Sequence, residues 1–149
     1  METDFRSRGF SISTDNTKFD FSVIHEFLSN SYWARGIPEE LIRKSVENSL
    51  TFGLFFQDKQ IGLARVITDF TTFAYVADVF VLEAYRRLGL SKWLMQTILS
   101  YPDLQKLRRW LLATRDAHGL YSQFGFKPVK NPERFMEIHD PDFFKKETL

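Results

Sequence analysis

The chain has 149 residues, enough for one domain with a real core, and its 44% hydrophobic and 26% charged residues match a globular protein rather than a disordered or membrane-embedded one. Twenty Lys plus Arg against 19 Asp plus Glu leave a formal charge of +1, so no global field exists for gripping a nucleic-acid backbone. With no cysteine there is no disulfide, thiolate nucleophile or cysteine-ligated zinc, and no apolar run approaches the roughly 18 residues of a membrane span.

The length predicts a single domain over residues 1–149, and the polar, charged start from Met1 to Arg8 argues against export, which leaves the cytoplasm as the expected location. Ser11 to Thr14 alternates polar and apolar before Asp15-Asn16 and reads as a first strand and turn. Phe21, Ile24, Phe27 and Leu28 then follow Asp20 at helical spacing, so a helix capped by Asp20 is expected to about Asn30. An aromatic loop, Tyr32-Trp33-Ala34-Arg35-Gly36-Ile37, leads to Pro38-Glu39-Glu40, which suits the first turn of a second helix running towards Ser49.

Thr51 to Phe56 and Ile61 to Thr68 form an expected hairpin about Gln57 to Gln60. Thr72 to Leu82 is apolar on both alternating faces, as a central strand covered on both sides would be. Gly89 to Ser100 reads as an amphipathic helix with Leu90, Leu94, Ile98 and Leu99 inward, and Trp110 to Ala113 as a buried strand, so the crossover between the two strands is parallel. A short helix from Gly119 to Phe124, a turn at Gly125-Phe126, a last strand at Phe135 to Ile138 and a loosely held tail complete a mixed α/β order.

Chemistry concentrates where the central strand ends. At Arg86-Arg87-Leu88-Gly89-Leu90-Ser91 a helix begins with unpartnered backbone N–H groups, a glycine that lets backbone approach closely, and two arginines. An anion belongs there, a pyrophosphate better than a carboxylate; the alternative is an ordinary strand-to-helix turn with solvated arginines. The phosphate-loop and dinucleotide fingerprints, with their longer glycine patterns, do not match.

The run Val81 to Ser91 resembles the acyl-CoA signature of the GNAT superfamily, in which Arg or Gln is followed after two residues by Gly, and after one more by Gly or Ala. Arg86 and Gly89 match, and Ser91 is a small replacement at the last position. Leu120-Tyr121-Ser122-Gln123-Phe124-Gly125-Phe126 is similar to the family's downstream Leu-Tyr and Gly-Phe pattern, at the right separation.

The resemblance implies an α/β GNAT fold. Its central, mixed but mostly antiparallel sheet would have six to seven strands flanked by about four helices, with strands splayed at the acyl-CoA site. It also implies an N-acetyltransferase using acetyl-CoA as donor and a primary amine of a small molecule, or a peptide, as acceptor. Val79, Phe80 and Val81 would bind pantetheine and the thioester carbonyl, and Arg86, Arg87, Leu88, Gly89, Leu90, Ser91 and Lys92 the pyrophosphate. Tyr121 would donate a proton to the leaving thiolate, its alternative being packing against the sheet. Asp78, the one charge on an apolar strand, would serve as general base, or would pair with Arg65.

Tyr32, Trp33, Ile37 and Tyr75 match the family's acceptor pocket, although Trp33 would equally serve as a core plug. No nucleic-acid or membrane partner is implied, and a homodimer is expected from the family's habit. Glu83 reads as a loop acid, His118 faces cofactor or solvent, and His25 is a surface or core histidine; no metal-ligand spacing stands out. Two other classes stay open: a catalytically silent acyl-CoA-binding or interaction domain on the same fold, and a nucleotide- or phosphate-binding module using the same turn.

Overall fold

A computed structural model describes residues 2–146. Its framework is one open sheet whose five strands, β1 (Phe10–Ser13), β2 (Leu50–Phe56), β3 (Lys59–Thr68), β4 (Phe73–Val81) and β5 (Arg109–Leu112), lie side by side in chain order. The first three pairings are antiparallel and the last, β4 with β5, is parallel. Short turns suffice for the antiparallel steps. Between β3 and β4 the Asp69 carboxylate accepts the backbone N–H groups of Thr71, Thr72 and Phe73, which hold that carboxyl well below the ordinary range. The parallel step requires a crossover, which helix α4 (Leu90–Leu99) supplies.

Side chains alternate between the two faces of the sheet. On one face Phe55, Leu63 and Phe80 pack against helices α2 (Phe21–Ser29) and α3 (Glu39–Glu47), through Ile24, Leu28, Ile42 and Val46. On the other, Phe52, Ala64, Val66 and Val76 meet Leu94, Met95 and Ile98 of α4. Asp20 caps α2 as its sequence position suggests, accepting from the Ser22 and Val23 N–H groups. Pro38 stands one residue earlier than expected, as the extended cap before α3 rather than inside its first turn.

Helix α1 (Glu2–Ser7) has no counterpart among the expected elements, because its single buried apolar residue makes no periodic pattern. Phe5 holds it. The ring stacks on Trp93 of α4 at 4.9 Å and meets Phe10 edge-on at 6.0 Å, so tertiary packing rather than helix propensity fixes these six residues.

The sheet has five strands among the described residues, not six to seven, and six α-helices rather than about four, α5 (His118–Ser122) and α6 (Phe143–Lys146) being short. The discrepancy lies mainly at Phe135 to Ile138. That segment follows a 3-10 turn, Pro132–Arg134, and takes no strand partner, since local alternation cannot create a strand without a neighbouring ladder. Met136 and Ile138 project fully into solvent. The segment beyond them is better held than expected: Phe144 packs against the α2–α3 core, where Gly36 at φ 84° brings its backbone close to the Phe144 carbonyl.

Phe5→Ala should lower the unfolding free energy by about 3 kcal/mol, from lost ring contacts and the cavity left on Trp93. Urea denaturation of the two proteins measures this; an unchanged midpoint would show that α1 adds nothing to the core.

Candidate active site

The sheet opens along one edge of β4. Pairing of β4 with β5 runs from Phe73–Arg109 to Val76–Leu112 and stops, whereas β4 stays paired with β3 through Val81. From Ala77 to Val81 the edge facing β5 therefore has no ladder partner. A β-bulge accompanies the parting: Arg65 pairs with Ala77 and Leu63 with Phe80, so Asp78 and Val79 together oppose Ala64. Asp78 carries the bulge in a left-handed conformation, φ 52°, which aspartate tolerates better than most side chains. Gly62 is required opposite, because a Cβ there would lie 2.7 Å from the Phe80 carbonyl oxygen.

The bulge turns Asp78 onto two donors. Its Oδ2 accepts from Arg65 Nε at 2.8 Å and its Oδ1 from Trp33 Nε1 at 2.8 Å, while Arg65 Nη1 donates to Ser49 Oγ at 3.1 Å. Of the two sequence alternatives for Asp78, the ion pair with Arg65 is thus the one formed. Both side chains are largely buried, so either one alone would be an uncompensated charge. Trp33 is hung from this pair beside Phe27 and Tyr32 rather than plugging the core.

After β4 a 3-10 turn, Glu83–Tyr85, leads to Arg86, whose Nε donates back to the Val81 carbonyl at 2.9 Å. Arg87 and Gly89 take left-handed conformations, φ 67° and 90°, and Gly89 caps α4 without any side-chain bond. The first intrahelical bond runs from Trp93 N–H to the Gly89 carbonyl, so the N–H groups of Leu90, Ser91 and Lys92 have no helical acceptor. Phe5 lies under this turn, 3.6 Å from the place a Cβ on Gly89 would take.

Tyr121 sits on α5, whose start is closed by Ala117 N–H donating to Thr114 Oγ. Gly125, at φ 94°, reverses the chain so that Phe126 meets the Tyr121 ring edge-on at 6.0 Å. The Tyr-to-Gly-Phe spacing is therefore a packing unit that fixes the tyrosine. Burial pushes the Tyr121 hydroxyl pKa up, and Tyr32 and Asp116 nearby push it the same way.

One cleft of about 1000 Å³ joins these parts. Its wall includes Asp78, Val79, Phe80, Val81, Arg86, Ser91 and Tyr121 together with the aromatic-loop residues Tyr32, Trp33 and Ile37, and Tyr75 of β4. Arg87, Leu88, Gly89, Leu90 and Lys92 do not line it; they build the turn that carries Arg86 and Ser91. Among the further wall residues that escaped the sequence reading are Arg115, Asp116, His139 and Phe144. Arg115 lies 3.8 Å over the Tyr32 ring and bridges the cleft from the β5 side to the aromatic loop. Arg115 and Asp116 stand just before the Leu-Tyr motif and could have been suspected; His139 and Phe144 lie in a segment with no motif at all.

His118 faces a separate cleft of about 490 Å³ beside β5 instead. Glu83 and His25 line neither cleft. No group of three or more His, Cys, Asp or Glu suited to a metal occurs among the described residues, and no helix among them is long and apolar enough to cross a membrane.

The profile of the acetyltransferase (GNAT) family matches residues 15–126. A crystal structure of a candidate GNAT acetyltransferase from Xanthomonas campestris pv. campestris is 46% identical, with a TM-score of 0.89 over 91% of this chain and 96% of that one. A candidate acetyltransferase of Gibberella zeae is 27% identical over 75% of each chain. A predicted acetyltransferase of Clostridium acetobutylicum, solved with acetyl-CoA, is 11% identical and shares the fold, with a TM-score of 0.65 over 87% of this chain and 96% of that one.

The raised Tyr121 pKa has a stability signature. The unfolded chain releases this proton near the ordinary value of 10.0 and the folded chain only above it, so stability is full below that pH and falls as pH rises through the folded value. Measured by urea unfolding from about pH 8 to about pH 11, the native protein should lose stability relative to Tyr121→Phe; parallel curves would contradict the buried hydroxyl.

Proposed function

Because the chain belongs to the acetyltransferase (GNAT) family, we propose that it is an acetyl-CoA-dependent N-acetyltransferase whose acceptor is the primary amine of a small molecule. The carrying observation is the single cleft in which an unpaired strand edge, a helix start and a buried tyrosine hydroxyl meet an aromatic wall. The chemistry of each part suits the donor. Main-chain groups from Ala77 to Val81, apart from the Val81 carbonyl that Arg86 holds, can pair with the amides of a pantetheine arm as a missing strand would, and the N–H groups of Leu90, Ser91 and Lys92 suit a pyrophosphate. The distant relative from Clostridium acetobutylicum, solved with acetyl-CoA, is consistent with that use of the fold.

In this reading a main-chain N–H on the bulged edge polarises the thioester carbonyl, so that negative charge on its oxygen meets a fixed donor. The amine attacks that carbon directly, the C–N bond forms and the C–S bond breaks. Tyr121 then gives its proton to the departing thiolate, a task for which a hydroxyl kept protonated by burial is suited. Tyr32, Trp33, Ile37 and Tyr75 receive the acceptor, and a walled cleft of this shape favours a compact amine over a polypeptide. Asp78 works by position: with one oxygen on Arg65 and the other on Trp33, it holds the bulge and the aromatic wall together.

Acetyl-CoA at about 100 times its Kd should stabilise the protein by about 2.7 kcal/mol and raise its melting temperature. A shift with ATP and none with acetyl-CoA would overturn the assignment. In a panel of ethylamine, benzylamine and spermidine read by CoA release, Tyr121→Phe should lower turnover by roughly 100-fold with little change in the acetyl-CoA shift. Stabilisation by acetyl-CoA without CoA release from any amine would instead mark a silent acyl-CoA-binding domain.

A further inference from the structure

Direct attack requires a neutral amine, and the obvious acid in the cleft is engaged: both Asp78 oxygens are held by Arg65 and Trp33. The segment from Phe135 to Phe144 is fastened at both ends. Phe135 lies under the Arg109 guanidinium at 5.0 Å, on the β5 side. Phe144 packs on the α2–α3 core, its carbonyl 3.3 Å from the position of a Cβ on Gly36. Between these anchors Met136 and Ile138 are turned to solvent, and His139, itself exposed, is on the cleft wall. A turn follows His139, Asp142 N–H donating to Asp140 Oδ1 and Phe143 N–H to the Asp140 carbonyl.

The geometry points to His139 as the general base that takes the proton from the acceptor ammonium. This rests on the acetyl-transfer reading and names a residue for the step that reading leaves without one. Imidazole is the side-chain group whose protonation ordinarily changes between about pH 5 and 8, and His139 is the one histidine on this wall. Of the other ionisable groups there, Asp78 pairs with Arg65, Arg115 lies over Tyr32 and Arg86 donates to the Val81 carbonyl, while Asp116 is an exposed carboxylate near Tyr121. Tyr75 is a wall aromatic, and Glu137 and Asp140 flank His139 on its own segment.

The protons balance. The ammonium gives one to the His139 imidazole, which passes it to solvent. The amine nitrogen bonds to the carbonyl carbon and sheds its second proton, which replaces the one Tyr121 gives to the thiolate. Products are the N-acetyl amine, CoA thiol and one released proton.

The test uses the full chain and the fastest amine of the panel. His139→Gln should lose roughly 100-fold in kcat/KM at about pH 7, with the deficit shrinking as pH rises and the amine deprotonates unaided. Added imidazole should restore part of the activity of His139→Gly, and the acetyl-CoA shift should stay unchanged in both. Phe144→Ala, which loosens the segment's anchor on the α2–α3 core, should raise KM without changing the shape of the pH profile. Superimposable pH profiles for His139→Gln and the native protein, or no imidazole rescue, would overturn the role of His139. Native protein that binds acetyl-CoA but releases no CoA with any amine would overturn the acetyl-transfer reading itself, and His139's role with it.

Discussion

The molecule depends on a ladder that is broken on one side only. At Asp78 the fourth strand carries one residue more than its antiparallel neighbour, and beyond Val76 its parallel neighbour departs. The antiparallel side stays closed because Gly62 allows the Phe80 carbonyl to come close and the Arg65 ion pair pins the bulge. A bulge that opened both edges would leave several backbone groups without partners in the core, at a cost of a few kcal/mol each. Opening one edge at the sheet's margin confines the unpartnered groups to a cleft that a ligand can fill.

The surrounding parts answer to that opening. Helix α4 starts beside it with unpartnered N–H groups, and α1 supports that start through the Phe5–Trp93 stack. Arg86 reaches back to the Val81 carbonyl, so the turn and the strand end move as one body. On the far side, the aromatic loop is tied to the bulge by a single hydrogen bond from Trp33. The strand opening and the aromatic loop thus meet at Asp78.

Much of this was legible in the sequence where a pattern repeats or a cap is chemically marked. The Asp20 cap, the hairpin around Gln57, the apolar Phe73–Val81 strand and the Gly89 helix start all fall within a residue or two of expectation. The four aromatic-loop and strand residues expected around an acceptor do share one cleft with Tyr121. What stayed hidden depends on contacts distant in the chain. Phe5 shows no periodicity until Trp93 is placed beneath it, and the left-handed turn at Asp78 exists only because β3 and β4 differ in register. Phe135 to Ile138 misled in the opposite direction, having a strand's alternation without a strand's neighbour.

The hydrogen bond from Trp33 to Asp78 gives the protein an internal optical probe. Of its three indoles, Trp93 is sealed in the core and Trp110 borders the smaller cleft, while Trp33 is 39% exposed on the wall of the larger one. Its emission is coupled both to solvent in the cleft and to the carboxylate that holds the bulge. A molecule entering beside Tyr32 would change the first, and a rearrangement of the sheet opening the second, so occupancy and strand geometry are written into the light of one side chain.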